Sequence, residues 1–237
     1  NRHRGADDLL ELADPRQAST PDDSADLDSR RGTLFAQAEL GAWQLRADLG
    51  NRKRTLRTPT GYDYDIDART RNLRARHDGT IAGLRNVLVL GHDQEDWQRD
   101  VLGLFGSNAT HEGRGWYVRD DLTFASGTRL SAGWRTERLE KGDTSATVDL
   151  RDRVHAWELG ASHPIARDVT AYARAGRSFR LAKVDEFSFT TPGVPLRPQL
   201  SDDVELGARW THAKGSVEAR VWRSRLTDEI GYDPHAV

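Results

Sequence analysis

Residue Thr33 marks the start of a strict alternation of apolar and polar side chains. Residues 1–32 mix acidic and basic side chains with no sustained period of 2 or 3.6, which predicts a solvated loop or irregular segment. From Thr33 onward, Leu34, Ala36, Ala38 and Leu40 fall on one side of the chain, and a second such run follows the turn Gly41-Ala42. Two period-2 runs around a tight turn predict a β-hairpin with one apolar face.

The same alternation continues along the rest of the chain and predicts about ten strands. They cover residues 33–40, 43–50, 62–69, 81–97, 115–125, 128–139, 152–163, 169–179, 202–211 and 216–226. Short turns at 41–42, 77–80, 125–127, 164–168 and 212–215 alternate with mostly longer linkers at 57–61, 98–114, 140–151 and 180–201. Short turns at one edge and long loops at the other are typical of an up-and-down barrel in an outer membrane.

The composition fits such a barrel once the alternation is taken into account. The chain is 36% hydrophobic and 30% charged, with a mean hydropathy of -0.74, which by itself suggests a very polar protein. A strand with one face toward lipid and the other toward a polar lumen averages to such values, and about 9 to 11 residues suffice to cross. Among seven tryptophans, Trp43, Trp97, Trp116 and Trp210 lie near predicted strand ends, where aromatic girdles form.

Charge and cysteine content exclude several other classes of protein. The 35 basic and 37 acidic residues nearly cancel, so nucleic acid is not an expected partner. Without cysteine, the chain has no disulfide framework, no thiolate zinc site and no cysteine nucleophile. No run approaches 18 apolar residues, so a membrane would have to be crossed by strands rather than by a helix.

Two segments carry a family resemblance. Residues 176–187, GRSFRLAKVDEF, are similar to a strand end of TonB-dependent receptors, and residues 196–210, LRPQLSDDVELGARW, resemble the segment that enters the next strand. Weaker similarity lies at residues 115–122, 130–135 and 225–230, so the resemblance spans about residues 33–232. Ala182 stands where the family usually has proline, and Gln199 where glutamate is common.

The resemblance implies an all-β, antiparallel, up-and-down transmembrane barrel of which this chain holds about ten of roughly 22 strands. Residues 1–32 are then an extracellular loop or irregular segment, and residues 33–237 are part of the barrel. The family's plug, the segment that binds the TonB coupling protein in the periplasm, and the final strands would lie outside this chain. The absence of methionine at position 1 also predicts a piece of a longer polypeptide.

The implied function is energy-coupled uptake of a scarce nutrient across the bacterial outer membrane, with a ferric siderophore ahead of cobalamin, haem or a glycan. The expected partners are a metal chelate or other small nutrient, outer-membrane lipid and the periplasmic TonB protein. No enzymatic activity and no cofactor are expected. A passive porin-type barrel and a soluble all-β binding or adhesion module stay open as alternatives.

No residue is assigned as catalytic, cofactor-binding or metal-binding, and the substrate contacts are left unknown. The segment His92-Asp-Gln-Glu-Asp96 is the most ligand-like cluster, but alternate side chains of a strand diverge, which favours a polar strand end. Three carboxylates, Asp63, Asp65 and Asp67, predict a charged lumen wall, with the alternating tyrosines toward lipid. Ser178 and Ser201 lack a nucleophile elbow. Arg180, Asp185 and Glu186 begin a long loop and are assigned a structural role.

Overall fold

The computed structural model describes residues 2–4, 24–59, 61, 63–103, 106–144, 148–182 and 196–231. They form one antiparallel sheet of 11 strands in which every strand pairs with its neighbours in chain order. The strands are β1 (Arg2–Arg4), β2 (Ser24–Leu40), β3 (Trp43–Arg57), β4 (Asp63–Ile81), β5 (Leu84–Leu102), β6 (Ser107–Thr123), β7 (Arg129–Asp143), β8 (Val148–Ala166), β9 (Val169–Arg180), β10 (Gln199–His212) and β11 (Gly215–Thr227).

Strands β2 to β11 correspond to the ten predicted strands, but several limits differ: β3 runs to Arg57 and not to residue 50, β4 to Ile81 and not to residue 69, and β6 begins at Ser107 and not at residue 115. Strand β2 begins at Ser24 and not at Thr33, and residues 2–4 form β1, so the predicted loop or irregular segment 1–32 contains strand residues at both of its ends. The turn between β4 and β5 lies at Ala82-Gly83 and not at 77–80, because φ is positive at both residues (50° and 79°), as a two-residue hairpin turn requires. The Asp-Gly pair at 78–79 instead continues the β4–β5 ladder.

The strands are longer than a membrane requires. Strands β2 to β11 contain 12 to 19 residues, whereas about 9 to 11 tilted residues cross the hydrocarbon core. The short turns therefore stay close to one membrane surface, and the excess length projects on the side of the long loops. The predicted long linkers shrink accordingly: the one at 98–114 is reduced to the residues between Leu102 and Ser107.

The register places the apolar residues of consecutive strands on one face, called here the outer face. Leu34 pairs with Leu49 and Ala38 with Leu45, and farther along the sheet Leu206 lies between Ala173 and Val221. These side chains are uncovered: Leu34 and Val221 are both 69% exposed. A soluble sandwich would bury this face against a second sheet, and none of the described strands covers it.

Aromatic side chains border the apolar band of the outer face. At the short-turn end, Trp43 packs on His77 with ring centroids 4.8 Å apart. Toward the long loops, His92 packs on Trp116 at 4.2 Å, and Trp134 pairs directly with Trp157. The prediction that Trp97 belongs to a girdle is wrong, because the register turns Trp97 to the opposite, inner face, where it stacks on His111 at 5.5 Å.

Apart from Asn86, which is 1% exposed on the outer face near the turn Ala82-Gly83, the buried side chains of the sheet lie on its inner face, in the half nearest the long loops. They include Ala68, Ala109, Leu139 and Val154, of which Leu139 is 1% exposed. This small core packs the inner surface of the strands together above the apolar band. The described residues contain no helix that is both long and apolar enough to cross a membrane.

Candidate functional site on the lumen wall

The inner face of strands β5 to β11 carries a set of charged and aromatic side chains, called here the lumen wall. It comprises Asp93, Tyr117, Arg119, Arg135, Glu137, Glu158, Tyr172, Arg174 and Glu218 on β11. Each lies one position out of phase with the apolar residues of its strand, which is why the alternation turns it inward. The lumen wall is therefore the polar counterpart of the lipid-facing surface.

Arg135 is the centre of an ion-pair network that joins β7 to β5 across the intervening strand β6. Its Nη1 donates to Asp93 Oδ2 at 2.8 Å, and its Nε and Nη2 donate to Glu137 Oε2 at 3.1 and 2.8 Å. To reach β5 from β7, the guanidinium crosses β6 over Gly115. A Cβ at Gly115 would lie 2.6 Å from Arg135 Nη2, so this position requires glycine for the crossing.

A second network extends the wall toward β9. The Nη1 of Arg119 donates to Glu158 Oε1 at 2.9 Å, and its Nε donates to Asp121 Oδ2 at 2.9 Å. The other oxygen of Glu158 lies 3.6 Å from Arg174 Nη2. Basic and acidic groups thus alternate across the wall, which keeps the field along it balanced rather than uniformly of one sign.

Tyr172 forms the third contact of the wall, between β9 and β11. Its hydroxyl donates to Glu218 Oε1 at 2.8 Å, while Arg209 Nη2 holds Glu218 Oε2 at 2.6 Å. The phenol ring lies over Gly207 of the strand between them, where a Cβ would be 2.6 Å from the hydroxyl oxygen. A glycine on one strand again makes room for a long side chain from the next.

Cavities open on the lumen wall, and two of them lie against its ion-pair networks. One, of 370 Å³, is lined by Asp93, Glu95, His111, Arg135 and Glu137, among others. The other, of 320 Å³, includes Tyr117, Arg119, Glu158, Arg174 and Asp203 in its lining. Donors and acceptors already held in ion pairs can exchange hydrogen bonds with a polar solute or with water. Chemically the wall can hold and pass polar molecules.

The structure divides the segment 92–96 as its alternation predicts. His92 and Asp96 lie on the outer face with Gln94, whereas Asp93 and Glu95 lie on the lumen wall. His92 Nδ1 is 2.9 Å from the carbonyl oxygen of Gly115. Within the described residues, no group of three or more histidine and carboxylate side chains is arranged to hold a metal ion.

The predicted orientation of Asp63, Asp65 and Asp67 is wrong. The register of β4 places these carboxylates on the same face as Leu73, the outer face, and turns Tyr64 and Ile66 inward. Arg57 Nη2 lies 2.8 Å from Asp65 Oδ1, and Lys53 Nζ 3.2 Å from Asp67 Oδ2. The physical reason is the strand length: these residues stand beyond the apolar band, where the outer face meets water and is charged.

The serines and loop residues singled out from the sequence form no catalytic arrangement in the part of the chain that is described. Ser178 and Ser201 oppose each other on β9 and β10, and Ser201 Oγ contacts Ser224 Oγ at 3.1 Å and donates to Asp203 at 3.0 Å. The Nη1 of Arg180 reaches the carbonyl of Ile230 at 3.5 Å. Asp185 and Glu186, with the rest of residues 183–195, lie outside the described residues.

Sequence reasoning missed the residues that organise the lumen wall, chiefly Arg119, Arg135 and Tyr172. A usable signal is present in the sequence, because each is an inward position of a strand whose neighbour carries an inward glycine. Without the register, however, no pattern shows that Gly115 lies between Arg135 and Asp93.

The fold and the two-faced sheet agree with a direct family match. The family of TonB dependent receptor-like β-barrels matches residues 3–237, so the chain belongs to this family. The chain is accordingly part of a β-barrel of the bacterial outer membrane, with the outer face toward lipid. The predicted family, fold class and location are confirmed.

Solved structures repeat the fold. The alcaligin outer membrane receptor FauA from Bordetella pertussis shares 20% identity with a TM-score of 0.68, covering 87% of this chain and 38% of FauA. The closed form of the ferric-catecholate import receptor Fiu from E. coli K12 shares 12% identity with a TM-score of 0.71, covering 91% and 43%. The copper transporter OprC shares 13% identity with a TM-score of 0.62, covering 85% and 38%.

At these identities the structures establish the fold and not the ligand. The chain spans less than half the length of each of these three receptors. No curated protein sequence matches it significantly. The activity, the cargo and the partners of a complete receptor are therefore matters for a proposal.

Proposed function

We propose that this chain forms part of the wall of a receptor that imports a metal chelate, most specifically a ferric siderophore, across the outer membrane. The observation that carries the proposal is the lumen wall: a charged, ion-paired inner surface behind a lipid-facing surface, in a chain of the TonB-dependent receptor family. A polar lumen suits the passage of a hydrophilic chelate, and no chemical conversion of the cargo is proposed.

The choice of cargo rests on the named structural neighbours. FauA is named as an alcaligin receptor and Fiu as a ferric-catecholate import receptor, which supports an iron chelate. OprC is named as a copper transporter, so a copper complex is the second candidate. Each arginine of the lumen wall lies against a carboxylate, so the wall presents no uniform field that would select a bare ion of either sign, and it suits a chelate that is polar overall.

The proposal includes parts that lie beyond this chain. A complete receptor would add the plug that closes the lumen, the remaining strands that close the barrel, and contact with TonB in the periplasm. Long-loop segments, including the part of residues 1–32 that connects β1 to β2, would face the outside and take part in capture. No residue of the wall is assigned as a substrate contact; the wall is proposed as the path.

Uptake by living cells tests this function. Bacteria that depend on the complete receptor for iron would be given radiolabelled ferric hydroxamate, ferric catecholate or a copper chelate, with and without a protonophore. We expect uptake of one iron chelate that stops when the proton gradient is dissipated. The matched variants are Arg119→Gln with Arg135→Gln in the lumen wall and, as a control, Arg129→Gln at the short-turn end.

The outcomes separate the alternatives. Uptake that persists with the protonophore would support a passive pore and contradict energy coupling. Uptake of copper but no iron chelate would move the cargo to the second candidate. Equal uptake by the lumen-wall variants and the control would show that the wall is not on the path.

A further inference from the structure

Three arginines stand side by side on the outer face, just beyond the aromatic residues that border the apolar band. Arg114 on β6 pairs directly with Arg138 on β7, which pairs directly with Arg153 on β8. We call these three residues the arginine row. Directly opposed residues of an antiparallel sheet have Cβ atoms about 4.5 to 5.5 Å apart, and like charges there are destabilising.

The carboxylates near the arginine row only partly offset this repulsion. Glu112 contacts Arg114, and Glu140 Oε1 lies 3.0 Å from Arg138 Nη2, both from the side of the long loops. No ion pair involves Arg153 among the residues that the structure describes. Arg114 and Arg138 keep side-chain exposures of 58% and 56%, and exposed ion pairs of this kind are weak, so both guanidinium groups can turn to another anion.

Below the arginine row, the outer residues of β7 and β8 change from charged to aromatic to apolar. This order matches the charged headgroup, the interface and the acyl chains of a lipid. Along β8 the outer residues run from Arg153 through Trp157 to Leu159, and along β7 from Arg138 through Trp134 to Ala132. Arg153 and Leu159 are roughly 20 Å apart along the strand. At a tilt of about 40° this is about 15 Å of depth, which lies within one leaflet.

A mainly apolar groove of 740 Å³ lies at the lower end of this order; its lining includes one outward-facing carboxylate, Asp120, which accepts a hydrogen bond from Asn86. Leucines line one side, Leu130 and Leu159, and Val204 and Leu206 line the other, while the alanines of β9, Ala173 and Ala175, form its floor. The small floor residues leave a depression in a surface that otherwise carries large side chains. A groove at this depth is filled by hydrocarbon in a membrane.

We propose that the arginine row binds the phosphate of an outer-leaflet lipid whose acyl chain occupies this groove. The ligand class is a phosphorylated glycolipid of the lipopolysaccharide type, since the long-loop side of the barrel faces outward. Guanidinium groups are suited to phosphate because they donate two hydrogen bonds in a fixed fork. The bound phosphate replaces the arginine–arginine repulsion with attraction, and the tryptophans lie at the interface between headgroup and chain.

Lipid binding to the complete receptor in detergent tests the inference without measuring uptake. The result therefore does not depend on which cargo the receptor imports. The delipidated receptor would be titrated with deep-rough lipopolysaccharide, with the same lipid after removal of its phosphates, and with inorganic phosphate. Native mass spectrometry would count the bound lipid. We expect the phosphorylated lipid to bind far more tightly than either of the other two.

Variants identify the residues. R114Q/R138Q/R153Q should bind the phosphorylated lipid about 100-fold more weakly, from the usual contribution of a basic residue at an anionic membrane surface. R85Q/R129Q/R167Q removes the same charge at the short-turn end and should bind as the unaltered receptor does. Ala173→Phe fills the groove and should also weaken binding while the arginines stay in place.

Three results would overturn the inference. Equal binding by the two triple variants would reject the arginine row, and equal binding of the dephosphorylated lipid would reject phosphate recognition. Inorganic phosphate that binds as tightly as the lipid would reject the groove and indicate a free-phosphate site. Unchanged heat-modifiability of each variant on gels would show that its barrel is intact.

Discussion

Replacing Leu206 by arginine tests the assignment of the outer face to lipid. Leu206 lies in the centre of β10, is 57% exposed, and has Ala173 and Val221 as its cross-strand neighbours. In a membrane this exposed fraction contacts acyl chains. An arginine here would place a guanidinium between two apolar cross-strand neighbours, on the face that meets hydrocarbon.

The depth of Leu206 sets the expected cost. It lies midway between Trp210, at the short-turn border of the apolar band, and Asp202, at the first charged position toward the loops. Each is roughly 13 Å away along the strand, or about 10 Å along the membrane normal for a tilted strand in a band about 25 Å tall. Arginine near the midplane costs about 2 to 4 kcal/mol, so the folding equilibrium should fall about 30- to 700-fold.

The measurement is the free energy of folding of the complete receptor barrel into phospholipid vesicles, from tryptophan fluorescence in a denaturant series. The matched control is Gln44→Arg, since Gln44 faces the lumen between Glu39 and Arg76, whose opposite charges offset each other, and the change should alter stability very little. If both arginines cost the same, the two faces would be in similar surroundings. The assignment of one face to lipid would then be refuted.

Other predictions address topology, packing and autonomy. Cysteines at Thr144 and Arg197 should react with an impermeant reagent on intact cells, whereas a cysteine at Lys214 should react only after the outer membrane is permeabilised. Gly115→Val should destabilise the barrel by about 1 kcal/mol, because a side chain there displaces Arg135 from its partner on β5. The isolated 237-residue chain, refolded in detergent, should show no chelate binding at concentrations that saturate the complete receptor.

Each of these has its own control. Labelling of Lys214 on intact cells, with Thr144 unreactive, would invert the topology. Gly32→Val serves as the matched substitution for Gly115, since no atom lies within 4 Å of a Cβ at Gly32. Tight chelate binding by the isolated chain would contradict the expectation that ligand capture needs the loops of the complete barrel. The expectation itself follows from the sheet, whose edges β1 and β11 leave unpaired backbone groups.

Local sequence was sufficient to predict a strand and its lipid-facing side wherever one face of the strand is apolar along its length. The hairpin around Gly41-Ala42 was predicted with its turn and its lipid face, because a period of 2 can be read without knowing what pairs with what. The family resemblance added the class of barrel, and the direct match confirmed it. The alternation also divided His92 and Asp93 between the two faces, although it named neither face.

The same reasoning failed where the strands rise beyond the membrane. At Asp63 to Asp67 the alternation is clear, but beyond the membrane Tyr64 and Ile66 face inward and the carboxylates face outward, so alternation alone does not show which set faces the lumen. Leu73 lies on the apolar outer face, and the pairing of β4 with β3 and β5 shows that these aspartates lie on the same face as Leu73. Trp97 was misassigned for the same reason, since being near a predicted strand end does not fix a face.

Contacts between distant residues were decided by the tertiary structure alone. Asp93 and Arg135 are joined across an intervening strand, and the arginine row exists only because β6, β7 and β8 are in one particular register. A shift by a single residue would turn every one of these side chains to the other face. The sequence determined by itself that strands form and how their two faces differ, because alternation is local; pairing determined which residues meet.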